Sequence, residues 1–282
     1  MFELDLPLPR DDASLQAALD AAVRRVTKGL PPEGVVTVDG ADRLAVELTH
    51  ATVVVDESNP NLEPPILRSE RTPGPTFASV TVQADPGQVE LVGTGTLQAR
   101  AHVTGKDVAF AFAETDRGTV AMVPAGGQLV ADASVETSAF VQLVEIRTRD
   151  EAAKQNVQIK SLTADVSTPT PRTLVIRARV TGSKKVAFFN AEFAVDVVAE
   201  AVIETTADGL AARVTTLDVT GDGTVMSVIL SLVKPRIDKI KAKPISLSRL
   251  MTALGLTGLH IDDVAVSAGE RLGVRLAVSG SS

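Results

Sequence analysis

The sequence contains no cysteine, no tryptophan and no tyrosine in its 282 residues. Without cysteine there is no disulfide framework, no thiolate metal site and no cysteine nucleophile. Eight phenylalanines are the whole aromatic complement, so the Trp and Tyr anchors common at protein interfaces are missing. The three histidines, His50, His102 and His260, stand far apart and outside any metal-ligand spacing. A structural role is expected for each. There is no Gly-x-Ser-x-Gly elbow and no His-Glu-x-x-His, so the sequence names no catalytic residue, metal ligand or cofactor. No run of 18 apolar residues occurs, which excludes a predicted helical membrane span. Basic excess is absent too. Twenty-eight Lys and Arg face 35 Asp and Glu, a net charge of -7, which argues against nucleic acid as a partner. The first residues, MFELDLPLPRDD, have neither a basic n-region nor an apolar core. A cytoplasmic location is therefore expected, or export if a leader has been removed.

What the chain does have is aliphatic residues: hydrophobic side chains make up 44% of it although aromatics are only 3%. Two stretches carry helical periodicity. Over residues 12–30, Leu15, Leu19, Ala22, Val23, Val26 and Leu30 form one stripe, with Asp11 or Asp12 placed to cap the start and Gly29 to end it. Over residues 223–243, Val225, Ile229, Leu232, Val233, Ile237 and Ile240 recur at steps of three and four, and Val228 and Leu230 widen the stripe. A helix apolar nearly all round is a buried one. Pro235 interrupts it, and Lys239, Lys241 and Lys243 make its end basic. Two roles fit those lysines: contact with anionic lipid headgroups, or complementation of a helix C-terminus.

The remainder alternates with period two. Near His50 the apolar set shifts by one residue, which predicts a bulge. Residues 59–75 carry Pro60, Pro64, Pro65, Pro73 and Pro75 and read as a long exposed loop, a possible docking surface for a protein partner. Residues 88–104 read as one strand with Gly93 and Gly95 inside it, and turns are expected at 105–107 and 116–118. Strands follow at 157–166, 174–180, 187–203 and 207–220, then a closing hairpin. The strongest is 187–203, whose odd positions from Ala187 to Ile203 are apolar without interruption. Glu192, Asp196 and Glu200 share its other face. A solvated outer face explains them better than a catalytic carboxylate pair. Asp218 to Gly223 matches the first half of a calcium loop, but Ile229 stands where its bidentate Glu is required.

Long antiparallel strands, then a deeply apolar helix, then Pro244-Ile245-Ser246-Leu247 and a closing hairpin (Ile261 to Val278) resemble the tubular lipid-binding superfamily in its bacterial form. The resemblance lies in the pattern over 174–278. It implies a strongly curved sheet wrapped around a long helix, with an acyl chain or other apolar ligand held in the seam. The expectation is one domain over 1–282. Its class is α+β, mostly antiparallel, an elongated sheet rolled around the helix of the C-terminal half, with a further amphipathic helix near the start. The expected ligand lining is Val225, Ile229, Leu232 and Val233 from the helix and Phe189 and Phe193 from the longest strand. The expected function is non-covalent binding or transfer of a lipid. The alternative is a structural or interaction protein with a filled core that docks other subunits.

Overall fold

Asp11 accepts a hydrogen bond from the Ser14 backbone N–H at 2.8 Å while Ser14 Oγ accepts from the Asp11 backbone N–H at 3.1 Å. This reciprocal cap starts α1 (Asp12–Val26). The predicted stripe holds: Leu15, Leu19, Ala22 and Val23 are buried. The computed structural model describes residues 1–55, 65–186, 189–206, 209–222, 245–247 and 259–280. In chain order the strands are β1 (Phe2–Leu4), β2 (Thr27–Lys28), β3 (Val36–Asp39), β4 (Arg43–Glu47), β5 (Thr52–Val55), β6 (Leu67–Leu91), β7 (Gly95–Thr115), β8 (Val120–Pro124) and β9 (Gly127–Glu136). After α2 (Thr137–Ala153) come β10 (Val157–Thr170), β11 (Thr173–Val186), β12 (Phe189–Thr206), β13 (Gly209–Asp222), β14 (Ile245–Ser246), β15 (Leu259–Ser267) and β16 (Arg271–Gly280).

The strands form two sheets. One has eleven strands, along the path β15-β16-β9-β7-β6-β4-β3, and the other has five, in the order β10-β11-β12-β13-β14. The chain divides into two compact units: unit 1 is Met1–Val135 with Leu247–Val264 and Val274–Ser282, and unit 2 is Glu136–Ser246 with Ala265–Gly273.

The expected class, an α+β sheet rolled around a long C-terminal-half helix, is overturned. Of the described residues 67% are strand and 15% helical, in two helices, and one of these, α2, was not expected at all. The segment 223–243 lies outside the described residues. The physical reason lies in how the strands are satisfied. β10 to β13 pair with their sequence neighbours as a meander, so their backbone hydrogen bonds are completed within the sheet. Among the described residues the helix that buries an apolar stripe is the N-terminal one, α1.

In unit 1, β4 and β5 both run parallel to β6, with Leu44 beside Val80 and Val53 beside Val89. Between them His50 takes φ 65° and donates its backbone N–H to the Pro86 carbonyl at 2.6 Å. This is the predicted phase shift, matched across the pair by a register shift in β6 between Ala84 and Gly87. The core gathers Leu4, Leu19, Leu44 and Met122 at zero exposure, with Phe77 edge-on to Phe110 at 5.9 Å between ring centres.

Three local expectations in unit 1 are corrected. Residues 67–75 are strand rather than loop. Pro73 sits at a register shift between Pro73 and Thr76, where a missing N–H is tolerated. Residues 92–94 form a turn, not mid-strand: Leu91 faces Gly95, and the glycines take φ +76° and +146°, values that favour glycine. The expected turn at 105–107 is instead continuous β7, with Asp107 locally left-handed at φ 50°.

In unit 2 the register aligns Ala164, Ala178, Val197 and Val219 in one row and Val166, Ile176, Ala199 and Leu217 in the next. That face is aliphatic. The opposite face carries Arg179 against Asp196 at 3.8 Å and Arg213 against Glu204 at 3.0 Å. α2 has no buried residue. Its first N–H, at Thr137, donates to the Glu270 carbonyl at 3.0 Å.

Candidate functional site

Phe193 is the expected ligand-lining residue whose side chain can be followed. It is buried at 7% exposure with Ala191 and Val195, three successive inward positions of β12. Across the register it faces Gly182 of β11. A Cβ at Gly182 would lie 2.7 Å from Phe193 Cζ and 2.5 Å from the Gln158 carbonyl oxygen. The glycine therefore admits the ring, and the ring covers the backbone that the glycine leaves bare. Phe189 opens β12, paired with Val186. Val225, Ile229, Leu232 and Val233 lie outside the described residues, as do Lys239, Lys241 and Lys243, so the expected seam and basic tip have no described geometry.

Around Phe193 the sheet grades from closed to open. Val157, Ile159, Val180, Val197 and Val219 pack against the buried trio but are only partly buried. In the next row Ile176, Ala199 and Leu217 are also half-buried. The result is a band of methyl groups on one side of four consecutive strands, with water access kept at most positions.

The carboxylates on the other face are engaged. Glu192 accepts a hydrogen bond from Lys160, which holds its carboxyl below the usual carboxylate range. Asp196 faces Arg179, and Glu200 accepts from the Thr215 hydroxyl at 3.2 Å. Asp218 and Asp222, the calcium-loop resemblance, stand in β13 opposite Val198 and Ala194, in extended strand rather than a loop. Among the described residues no group of three or more His, Asp or Glu could hold a metal ion, and no helix is long and apolar enough to cross a membrane.

Among the described residues three hollows have walls that can be named. In unit 2, one of about 630 Å³ is bounded by Asn156, Gln158, Ser183, Lys185 and Asn190. A second, of about 400 Å³, lies against α2 at Arg147, Glu151 and Gln155. In unit 1, a cleft of about 410 Å³ has Leu6, Leu8, Phe112 and Val120 as its apolar lining and Arg68, Glu70 and Glu114 among its polar groups. Sequence reasoning missed the cleft because its residues come from four separated segments. No protein-family model matches the chain, and neither a curated protein nor a solved structure matches it.

Proposed function

We propose that this protein binds a lipid or similar apolar molecule non-covalently, on the aliphatic face of the five-stranded sheet. The observation that carries this reading is the half-buried band of Ile159, Val180, Val197 and Val219 around the buried Phe193. It lies back to back with a face held by ion pairs. The chemistry is solvation: apolar surface on the band and on an acyl chain leaves water together, at about 0.8 kcal/mol per CH2. Few polar contacts are required. The closed core of unit 1 favours a second reading for that unit, a filled scaffold that presents its surface to other subunits.

The test is displacement of a fluorescent fatty-acid probe by unlabelled fatty acids of rising chain length. Affinity should rise about fourfold per methylene until the band is covered, the equivalent of about 0.8 kcal/mol each. Val197→Asp should reduce uptake at least tenfold, while Asp196→Asn on the opposite face leaves it unchanged. No saturable uptake by the parent protein, or equal uptake by Val197→Asp with its fold intact, would overturn the proposal.

A further inference from the structure

Unit 1 carries a cleft of its own. Its walls come from Leu6 and Leu8 after β1, from Arg68, Glu70 and Thr72 of β6, from Phe112 and Glu114 of β7, and from Val120 of β8. Phe112 and Glu114 are two apart on β7 and point to one side, and Arg68 and Glu70 come from the register shift of β6 between Leu67 and Arg71. Phe112 packs against the core of unit 1 and Val120 is 3% exposed. The floor is thus the open margin of a hydrophobic core. Leu6, at 63% exposure, stands at the mouth.

The charges decide what fits. Arg68 is engaged by Glu114 at 3.0 Å, which neutralises both. Glu70 has no ion pair or side-chain hydrogen bond among the described residues, and it is exposed. One uncompensated carboxylate therefore stands over an apolar floor. At about 410 Å³ the space falls within the range of small-molecule pockets, which pair an apolar lining with a few orienting polar groups.

We propose that this cleft binds a small organic cation with an apolar body, an alkylammonium or arylalkylammonium. The hydrocarbon lies on Phe112, Val120 and Leu8, and the ammonium pairs with Glu70. An anion of the same shape meets the same carboxylate and is repelled. A neutral analogue keeps the floor and loses the ion pair.

The probes are hexylammonium, hexanoate and hexanol, titrated into the full chain by calorimetry and by amide NMR shifts at Phe112 and Val120. Hexylammonium should bind most tightly and shift both residues, hexanol should bind about fivefold more weakly, and hexanoate not measurably. Glu70→Gln is an exposed change that preserves folding, and it should bring hexylammonium down to the affinity of hexanol. Raising the salt from 0.05 to 0.5 M should do part of the same. The proposal is overturned by any of three results: hexanoate binding as well as hexylammonium, an unchanged hexylammonium affinity in Glu70→Gln, or no shift at Phe112 and Val120 with any probe. Loss of fatty-acid uptake by the sheet face of unit 2 leaves these outcomes unaffected, so the two sites fail independently.

Discussion

Unit 1 and unit 2 are both built from long strands, yet among the described residues it is unit 1 that gathers side chains at zero exposure. In unit 1, α1 lays Leu15, Leu19, Ala22 and Val23 onto the sheet, and Leu4, Leu44, Phe77 and Met122 reach zero exposure. In unit 2, α2 lays down nothing buried, and the cluster around Phe193 has three buried members. The difference comes from the helices rather than the strands. α1 carries a stripe at helical spacing, while in α2 the apolar Phe140, Val141, Leu143, Val144 and Ile146 are bunched near the start and followed by Arg147, Arg149, Asp150 and Glu151. A sheet needs a partner of matching periodicity to become a core. The sheet of unit 2 keeps its methyl band at a boundary with water, which is why the proposed apolar ligand is assigned there.

The comparison breaks most visibly under truncation. Leu19→Ala or Leu44→Ala should cost about 2–5 kcal/mol, since each removes a fully buried side chain from a closed core. Val219→Ala should cost about 0.8 kcal/mol, because the lost surface is only partly out of water. Chemical denaturation of the three variants checks this, and equal losses would erase the distinction between the units. Next in size is Gly182→Ala, which drives a methyl into the Phe193 ring and the Gln158 carbonyl and should cost about 1–3 kcal/mol. Adding Phe193→Leu should recover part of that loss in a double-mutant cycle, because the ring is one of the two obstacles.

A smaller effect concerns the start of α1. The Ser14 backbone N–H holds the Asp11 carboxyl below its ordinary range. A group with a lowered folded value contributes stability above its unfolded value, about pH 4, and loses it as pH falls through the folded one. Asp11→Asn should keep the cap and flatten that acid dependence of the thermal midpoint, whereas Asp11→Ala should lower the midpoint at neutral pH as well. The smallest effect is expected at Lys160→Gln. Its partner Glu192 is exposed, so the melting temperature should not move, while NMR titration should show the Glu192 carboxyl returning toward the ordinary range.

Much of this organisation was legible along the chain. The four strands of the unit 2 meander and the closing hairpin follow from period two, and α1 follows from its stripe and its cap. The shift at His50 could be read because one displaced residue moves every following side chain to the other face. Other features depend on partners distant in sequence. Pro73 looks like a strand breaker until the register shift that absorbs it is known, and Gly93 and Gly95 look like strand interior until Leu91 is seen facing Gly95. Phe193 was legible as an inward residue. That its ring rests on Gly182 is set by the pairing of β11 with β12, which no local pattern encodes. The unit 1 cleft was invisible for the same reason, since Leu8, Glu70, Phe112 and Val120 meet only after four strands have paired.

The position of β9 has a consequence for the order of assembly. Its inner edge pairs with β7, a near neighbour along the chain, whereas its outer edge pairs with β16, more than a hundred residues later. During synthesis at about 5–20 residues per second, that outer edge waits several seconds for its partner. Throughout that interval unit 1 presents an unsatisfied row of backbone donors and acceptors, open to pairing with another nascent chain. The closing hairpin is therefore the late seal of that edge.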